Sequence, residues 1–546
     1  MSEHKIYSQT FCPDTIAFAP ANLVGKISWD ALPIFSFPSQ FKIVYEGPRL
    51  LDSLRRPLKH GFSHIANQYN NFGPTDKDSL QVKNRAMTWY NVAEVGSPQP
   101  WKAPCISPWN NDTINAYPAY WKSQLTYYAA LYTNTQTDTF PQVDLMAADI
   151  EESRRNGFND NADYIDSLYA YPTGCTIPPA YLTGSQQNFV KKYERDMMLL
   201  YNTPMKYAKK GIASHSYTTK LSSYNDGPIS TTWYKIYNHS WTQWQTDTSL
   251  VSYLRKDTAL QVSANAPFYN NCDFISPDCY LFGDYPENLA FSLFQIEVNK
   301  QWSNKDIVLW EWLRYPNGNP IRKTTAEALA IFPLMSGANG MWLWDAYSSL
   351  VAPSTAADTT HLGNYDHYIK GLYRLSIFSN YFTGVYSIYI PQTAHYLFVN
   401  QKPVWRAVVK GNNILIGAQN PYALDSDTTY LPVSYGAWSN TIALIGKQIF
   451  LCDFSLTNVD VKENVLSETA IKVFPNPAGI SFKIELKDEE IKSILLYDYL
   501  GRQLEIPFIK IGNLAEVNSH AVSSGFYLLQ IVTSKNKMIT RKLIIE

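Results

Sequence analysis

The sequence predicts an α/β protein in which a (β/α)8 (TIM) barrel is followed by two small all-β sandwich domains. Three observations lead to this prediction. Between about residues 40 and 350, short apolar runs that end in polar or acidic residues alternate with longer segments of helical period. After Tyr381 the helical period stops and closely spaced strands follow. From about Val465 to the end, short alternating strands are separated by turn residues.

The first region is expected to form a parallel sheet with crossover helices, because strands and helices alternate along it. The candidate strands are Phe41–Tyr45, Phe62–Ala66, Ala86–Tyr90, Val143–Ala148, Gly211–Ser214, Ala259–Ser263, Phe274–Ser276, Ile307–Trp310 and Gly340–Trp344. The candidate helices are Tyr120–Leu131, Gln186–Leu200, Leu289–Val298 and Thr324–Met335. One strand is in excess of eight, so either Phe41–Tyr45 or Ala259–Ser263 is expected to lie outside the barrel.

Two β-rich regions follow the predicted barrel. The strands expected in the first are Val385–Ile390, Tyr396–Val399, Val404–Val409, Ile414–Ile416 and Ile442–Ile445. No helical period interrupts them, which is typical of a β-sandwich. We therefore expect a barrel domain at 1–380, a sandwich at 381–457 and a C-terminal domain at 465–546.

The composition favours a neutral or weakly charged substrate. The formal net charge is -1 and long runs of Lys or Arg are absent, which argues against nucleic acid as the main partner. Charged residues make up 17% of the chain and aromatic residues 14%, including 39 Tyr and 15 Trp. Aromatic rings can stack on the C–H faces of sugars, so this bias suits a carbohydrate-active protein. A large aromatic core is the equal alternative.

The sequence indicates neither a cofactor nor a membrane span. The six cysteines are too few and too scattered for a disulfide scaffold, although Cys272 and Cys279 are close enough to close a small loop. None of their spacings is a zinc pattern, so no metal is expected. The apolar runs are also too short for a transmembrane helix.

Two predicted strands end in acids, and in a barrel the active site is built at the strands' carboxyl ends. Asp149 and Glu151 follow the strand that begins at Val143, and Glu311 ends the strand that begins at Asp306. Asp149 and Glu151 share one side of an extended segment because side chains alternate. Glycosidic bond cleavage needs a pair of carboxyl groups, which Glu151 and Glu311 can supply from non-adjacent strands.

Each acid also has a structural interpretation. Glu151 lies in Asp-Ile-Glu-Glu-Ser-Arg-Arg, which suits a salt-bridged helix start, because acids favour the first helical turn. Glu311 lies between two tryptophans, where burial would raise its pKa and a hydrogen-bonded partner would be needed.

The C-terminal region carries a recognisable set of motifs. They are Phe474-Pro-Asn-Pro, Tyr497-Asp-x-x-Gly-Arg, Ser524-Gly-Phe-Tyr and the closing Arg541-Lys-Leu-Ile-Ile. Together they resemble the C-terminal sorting domain of the type IX secretion system of Bacteroidetes. The resemblance implies export across the outer membrane by the secretion machinery, and a secreted or cell-surface location.

A second resemblance covers roughly residues 40 to 350. An apolar helix to Met335, the turn Ser-Gly-Ala-Asn-Gly and the strand Met-Trp-Leu-Trp-Asp345 resemble the last helix and eighth strand of many barrel glycoside hydrolases. In those enzymes a Trp forms the floor of the sugar subsite. The resemblance implies substrate-binding roles, which fall on Trp310, Trp342, Trp344 and Asp345.

The resemblance leaves two catalytic schemes open. Ile150 stands where the largest clan of retaining barrel enzymes has Asn before the acid. Asp149-x-Glu151 with Gly340–Trp344 looks instead like chitinases and hyaluronidases, in which Glu is the acid, the Asp orients substrate and an N-acetyl group is the nucleophile. Glu311 would then bind substrate.

Further residues are candidates for contact with substrate. Asp278 and Tyr280 are expected at a strand end in either scheme, and His215 at another, where a structural His is equally consistent. The residues Tyr45, Glu46, Tyr69, Trp89 and Tyr90 are candidates for lining the cleft, with core packing the alternative for the aromatics. The sequence thus predicts a secreted glycoside hydrolase acting on a polysaccharide or oligosaccharide; a non-catalytic glycan-binding protein is the alternative class.

Overall fold

The computed structural model describes residues 9–12, 27–47, 55–67, 80–92, 109, 111–133, 139–150, 177–456 (except 225, 232 and 346–361) and 471–546 (except 488, 499–502, 505 and 536–537). These residues form two compact units, divided between residues 457 and 458. Within the described ranges, no helix combines the length and apolarity needed to cross a membrane.

Eight parallel strands form a nearly closed barrel, as the sequence predicts. In chain order they are Lys42–Glu46, His64–Ala66, Arg85–Trp89, Leu145–Ala148, Lys220–Ser223, Phe274–Ile275, Asp306–Glu311 and Gly340–Trp344. The eighth strand pairs with the first, and the other pairs follow chain order around the sheet. Between the fifth and sixth strands, the N–H of Asp273 donates to the carbonyl of Leu221 at 2.6 Å. This contact brings the two ends of the sheet together.

Helices surround the barrel and connect its strands. The α-helices described are Arg55–Leu58, Asn111–Thr133, Gln186–Ser214, Trp241–Thr246, Pro267–Asn271, Asn288–Trp302, Lys323–Met335, Leu362–Ser376 and Ala394–Asn400. Short 3-10 helices are Trp29–Ala31, Val82–Asn84, Pro179–Tyr181, Trp233–Asn238, Thr248–Leu250, Tyr253–Arg255 and Ser379–Phe382. The helix at Gln186 begins where the Ser185 side chain accepts from the Asn188 N–H at 3.3 Å, as expected of an N-cap.

One of the predicted barrel strands is wrong, and the candidate in excess of eight is identified. Gly211–Ser214 is the end of the long helix that begins at Gln186, because buried apolar residues continue at helical spacing through Met205 and Ile212. The fifth strand is instead Lys220–Ser223, which sequence reasoning missed. Ala259–Ser263 lies outside the barrel, so Phe41–Tyr45, found as Lys42–Glu46, belongs to it.

A β-sandwich packs beside the barrel within the same compact unit. One sheet has the order Gln9–Phe11, Phe450–Ser455, Asn413–Gln419, Val404–Lys410, Ser387–Tyr389, and the second pairs Thr428–Tyr435 with Trp438–Ile445. Val408 and Leu415 belong to the core shared with the barrel helices, whereas Ala407 and Ile416 pack with Trp438 between the sheets. Alternation along the strands therefore gives the first sheet two buried faces.

Two further expectations are corrected, one in the sandwich and one beside the sixth barrel strand. Tyr396–Val399 is helical, within Ala394–Asn400, because the Thr393 side chain caps the helix by accepting from the Tyr396 N–H at 3.2 Å. The cysteines Cys272 and Cys279 are free and buried rather than paired. A disulfide instead joins Cys12, beside the N-terminal strand, to Cys452 in the neighbouring strand.

The C-terminal unit contains two four-stranded antiparallel sheets. The first has the order Ile471–Phe474, Ser481–Leu486, Leu514–Asn518, Phe508–Ile511. The second has the order Gln503–Leu504, Ile491–Tyr497, Gly525–Thr533, Met538–Ile545. Alternate residues such as Phe482, Leu496 and Ile531 fill one core, so the unit is a small β-sandwich.

Candidate active site

The inward side of each barrel strand is defined by the side chains that fill the barrel. These are Val44, Ala66, Ala86, Leu145, Ala147, Phe274, Val308, Trp310 and Trp342. Because side chains alternate along a strand, two residues further on points to the same side. Glu46 therefore points to the same side as Val44, and Asp149 points to the same side as Ala147. These side chains surround the strands' carboxyl ends, where barrel active sites are built, and we call this opening the mouth.

Glu46, at the end of the first strand, is the centre of a hydrogen-bond network beneath the mouth. Its Oε1 accepts from the Tyr90 hydroxyl at 2.5 Å and from Asn67 Nδ2 at 2.9 Å. Its Oε2 accepts from the Thr88 hydroxyl at 2.5 Å and from Trp342 Nε1 at 2.6 Å. Burial raises the pKa of Glu46, although these four hydrogen bonds act to lower it. The network fixes groups from four parts of the barrel against one another.

Five half-buried aromatic side chains line the mouth, and we call them the aromatic floor: Tyr90, Tyr224, Tyr280, Trp312 and Trp344. The rings of Tyr280 and Trp344 are stacked, with centroids 5.6 Å apart and an angle of 20°. Trp312 lies 5.6 Å from each of these two rings. Trp344 Nε1 donates to the Tyr90 hydroxyl at 2.8 Å, so the floor is tied to the Glu46 network.

Two aspartates face this mouth from non-adjacent strands. Asp278 follows the sixth strand, and its carboxylate accepts from the Tyr280 N–H at 2.7 Å and from the Tyr224 hydroxyl at 3.1 Å. Asp149 follows the fourth strand, where its own N–H donates to the Trp89 carbonyl at 3.0 Å. Both aspartates are half-buried.

The electrostatics of the aromatic floor place the two aspartates at the same opening. The pKa of Tyr280 is raised by burial above all, and also by its neighbours Tyr224, Asp278, Tyr90 and Asp149. The Tyr280 hydroxyl is therefore close enough to both Asp278 and Asp149 for each carboxylate to raise its pKa.

Glu311 does not face the mouth, which corrects the orientation expected of it. Its neighbours on the same side of the strand, Ile307 and Leu309, pack in the core outside the barrel. The carboxyl group accepts from the Tyr368 hydroxyl at 2.7 Å, on the helix Leu362–Ser376. Burial raises the pKa of Glu311 to about 8. Glu311 ends the seventh barrel strand, as predicted, but its side chain lies in the layer between the strands and the surrounding helices.

Asp345 and His215 are also positioned away from the mouth. Asp345 is buried on the outer side of the eighth strand, where it pairs with Arg314 and accepts from the Tyr365 hydroxyl at 3.1 Å. His215 follows a helix rather than a strand, and its Nδ1 bonds to the Gly211 carbonyl at 2.8 Å. That helix runs back to the amino end of the fifth strand, so the expectation of a strand end at His215 is wrong.

The remaining candidates divide between the mouth and the layer beneath it. Tyr280 and Trp344 belong to the aromatic floor. Trp310 and Trp342 are 2% and 0% exposed and stack on each other at 4.9 Å, one layer deeper, so they support the floor rather than contact a substrate. Glu151 lies outside the described residues.

Among the residues proposed to line the cleft, Glu46 and Tyr90 face inward. Tyr45 and Trp89 are buried outside the barrel, and Tyr69 lies outside the described residues. Sequence reasoning missed Tyr224 because the fifth strand was not recognised. The alternation in Lys-Leu-Ser-Ser-Tyr224, read as a strand with small inward residues, is the signal that would have found it.

Among its described residues, the site has no cluster that suits a metal ion. In the parts of the chain that the structure describes, no three His, Cys, Asp or Glu residues are grouped so that they could hold one. The described residues form a parallel barrel whose mouth combines the carboxyl groups of Asp149 and Asp278 with the aromatic floor.

Comparison with known proteins identifies the C-terminal unit. Residues 472–546 match the family model of the secretion system C-terminal sorting domain. This confirms the type IX sorting domain predicted from the sequence, and it marks the protein as secreted or attached to the cell surface. The chain is also 29% identical to an endo-acting ulvan lyase of Formosa agariphila over 92 residues, which are 17% of this chain and 18% of that relative.

Solved structures similar to this chain include glycoside hydrolases. One is a family 30 endoxylanase from Clostridium papyrosolvens, with 12% identity, 80% of this chain and 98% of that chain covered, and a TM-score of 0.31. Another is the trehalose-6-phosphate hydrolase of Bacillus licheniformis, with 10% identity, coverage of 76% and 99%, and a TM-score of 0.34. At these identities and TM-scores the likenesses carry no argument about activity.

Proposed function

We propose that this protein is a secreted or surface-attached glycoside hydrolase that cleaves a polysaccharide with a pair of carboxyl groups at the barrel mouth. Asp278 is the base or nucleophile, and Asp149 is the acid. Glu151, which alternation along an extended strand would place on the same side as Asp149, is the second candidate for the acid. Glu311 has no catalytic part in this proposal.

The observation that carries the proposal is the pair Asp149 and Asp278 at one aromatic mouth. Cleavage of a glycosidic bond needs one carboxyl group to protonate the leaving oxygen and another to attack the sugar or activate water. Tyr280 and Trp344 present stacked aromatic rings beside this pair. Such rings bind the apolar C–H faces of a sugar, so the same opening offers both binding and chemistry.

The hydrogen bonds of Asp278 support its assigned role. Two donors, the Tyr280 N–H and the Tyr224 hydroxyl, are directed at its carboxylate. Donors of this kind favour the charged form of a carboxyl group, which is the form that a nucleophile or base requires. The acid must carry a proton, so it falls to the strand-four segment that contains Asp149.

The sorting domain supports a polymeric substrate. Polysaccharides are too large to enter a cell intact, so an enzyme that cleaves them must be exported first. A domain that marks the chain for secretion or surface attachment supplies that step.

The test uses purified Asp149→Asn, Asp278→Asn and Glu151→Gln proteins, with reducing-sugar release and binding measured on a panel of polysaccharides. We expect the catalytic substitutions to lower turnover by about 10² to 10⁴. The acid variant should recover on an aryl glycoside with a good leaving group, because that bond needs no protonation. Azide should rescue the Asp278 variant if Asp278 is a nucleophile.

Glu311→Gln is the matched control, because it removes a buried carboxyl group at another strand end. Its turnover should match that of the wild type. Wild-type turnover in Asp278→Asn would overturn the assignment of Asp278. Saturable polysaccharide binding by the wild type without release of reducing ends would overturn the hydrolase and leave a glycan-binding protein.

A further inference from the structure

The fifth and sixth barrel strands are the two ends of the eight-stranded sheet, and we call the gap between them the seam. The described residues show no backbone ladder across it, unlike the other neighbouring strands of the barrel. Side chains close the seam instead. At its amino end, the Asp273 carboxylate accepts from the Leu221 N–H at 2.8 Å.

Asp226 closes the seam at its carboxyl end, on the side of the mouth. The residue follows the fifth strand and is 6% exposed. Its Oδ1 accepts from the Ser276 N–H at 2.6 Å, just beyond the sixth strand. Its Oδ2 accepts from the Ser223 N–H at 3.3 Å and lies 3.0 Å from the Ser222 hydroxyl, both in the fifth strand. One buried carboxylate therefore bonds to both sides of the seam.

The candidate catalytic groups lie on the two sides of this contact. On one side, the Tyr224 N–H donates to the Ala148 carbonyl at 2.8 Å, directly before Asp149. On the other side, Asp278 follows Ser276 by two residues. The Tyr224 hydroxyl donates to the Asp278 carboxylate at 3.1 Å, across the seam. The short connection between the two aspartates therefore crosses the seam where Asp226 clamps it.

We propose that Asp226 is a positioning residue for the reaction, which clamps the seam and so holds the Tyr224 hydroxyl against Asp278. This inference rests on the proposed function, in which Asp278 is the base or nucleophile. Asp226 is buried and acts through the two strands that it joins. The Tyr224 hydroxyl favours the charged form of Asp278, so an open seam should raise the pKa of Asp278.

Asp226→Asn tests the clamp with little change in side-chain volume. An Asn amide has one acceptor oxygen where the carboxylate has two, so its NH₂ group must face the N–H of either Ser276 or Ser223. Either orientation breaks one side of the clamp. We expect the acidic limb of the kcat/KM profile, which reports ionisation of the base or nucleophile, to move up by about one pH unit. Because Asp278 is misplaced, kcat should also fall by about 10- to 100-fold.

The direction of the shift separates positioning from a direct effect of charge. Ionised Asp226 is negative, and removing a negative charge lowers the pKa of a nearby carboxyl group. A shift of the acidic limb to higher pH therefore indicates loss of the Tyr224 hydrogen bond. The substitution leaves the other titratable groups in place, which are Asp149, Tyr90, Tyr280 and Cys279 around Asp278, and Cys272 and Lys305 around Asp226.

Tyr224→Phe and the double variant test the path of the effect. If Asp226 acts through Tyr224, Tyr224→Phe should shift the acidic limb in the same direction, and the double variant should shift it no further than the larger single shift. Asp273→Asn is the matched control, because it removes a carboxylate that accepts an N–H at the other end of the seam. It should lower the melting temperature and leave kcat and the pH profile unchanged.

Crystal structures of the wild type and Asp226→Asn measure the distance from the Tyr224 hydroxyl to Asp278 without turnover. An unchanged distance with an unshifted acidic limb would overturn the proposal, as would an equal shift in Asp273→Asn or additive shifts in the double variant. Wild-type turnover in Asp278→Asn would overturn the hydrolase assignment, whereas a lengthened distance in Asp226→Asn would still support the clamp.

Ser222→Ala serves as the second variant if thermal melting shows that Asp226→Asn is unfolded. It removes a hydroxyl that lies 3.0 Å from Asp226 Oδ2 and 2.8 Å from the Phe274 carbonyl across the seam. We expect a smaller shift of the acidic limb in the same direction. A wild-type pH profile in folded Ser222→Ala would then count against the clamp.

Discussion

Replacing Glu311 with Gln should change how stability depends on pH and leave turnover unchanged. The carboxyl group is 0% exposed, accepts one hydrogen bond from Tyr368, and has a second oxygen without a partner. Burial raises its pKa to about 8, so at neutral pH it is mostly protonated and uncharged. Gln has the same shape, can accept the same hydrogen bond, and stays uncharged at every pH.

The size of the effect follows from the two pKa values. In the unfolded chain a Glu titrates near pH ~4.3, whereas in the folded protein Glu311 titrates at about 8. Between these values the folded state binds more protons, so the free energy of unfolding falls as the pH rises. At about 1.4 kcal/mol per pKa unit, the wild type loses roughly 5 kcal/mol across this window. Glu311→Gln does not lose this part of the stability.

Urea unfolding followed by tryptophan fluorescence at pH 5 and pH 9 measures this difference. All 15 Trp lie before residue 458, so the signal reports the first compact unit alone. At pH 5 the two proteins should differ by about 1 kcal/mol or less, since the Tyr368 hydrogen bond is kept. At pH 9 the variant should be the more stable by several kcal/mol, roughly 3 to 5. A difference that does not widen with pH would refute the buried, proton-holding position of Glu311.

Two further predictions concern Glu46 and the C-terminal unit. Glu46→Gln places an amide N–H against at least one of four donors, so we expect a loss of roughly 1 to 3 kcal/mol in stability. We also expect a raised KM as Tyr90 and Trp344 shift, and unchanged steady-state kinetics would contradict the network. Truncation after Thr457 should leave turnover intact in the purified protein, because the two units are separately compact. A truncated protein that is folded but inactive would show that the C-terminal unit contributes to catalysis.

The strand ends of the barrel could be predicted from sequence, but the direction of their side chains could not. Both faces of a parallel barrel strand are buried, so both are apolar and no alternation distinguishes inside from outside. In the seventh strand Val308 and Trp310 fill the barrel while Ile307 and Leu309 pack against helices. The sequence therefore predicts correctly that Glu311 ends a barrel strand, but the side chain points outward to the helices and not into the barrel mouth.

The fifth strand could not be predicted from the sequence, for a different reason. Ser222 and Ser223 carry little apolar signal, yet both are buried. The Ser222 hydroxyl donates to the Phe274 carbonyl at 2.8 Å, and the Ser223 hydroxyl donates to the Ala148 carbonyl at 3.0 Å. Small residues whose hydroxyls are hydrogen-bonded can form a buried barrel strand without an apolar run. The loss of this strand also removed Tyr224 from the predicted site.

Contacts between distant residues were beyond sequence reasoning altogether. Glu46 and Trp342 are 296 positions apart, and their 2.6 Å hydrogen bond exists only because the eighth strand closes on the first. Asp149 and Trp344 were predicted at strand ends from local pattern. Local pattern could not show that both residues lie at one opening, because this arrangement arises only when the barrel closes.

Two acids near opposite ends of the barrel, Asp144 and Glu46, differ in their electrostatic surroundings. At the amino end Asp144 accepts from His64 Nε2 at 2.8 Å and lies 3.4 Å from Lys42 Nζ. Burial raises the pKa of Asp144, but these two partners outweigh it and the pKa is lowered. At the carboxyl end Glu46 has four neutral donors, and burial keeps its pKa raised. Strongly shifted carboxyl groups are frequent at functional sites, and Glu46 lies at the end of the barrel where active sites are built.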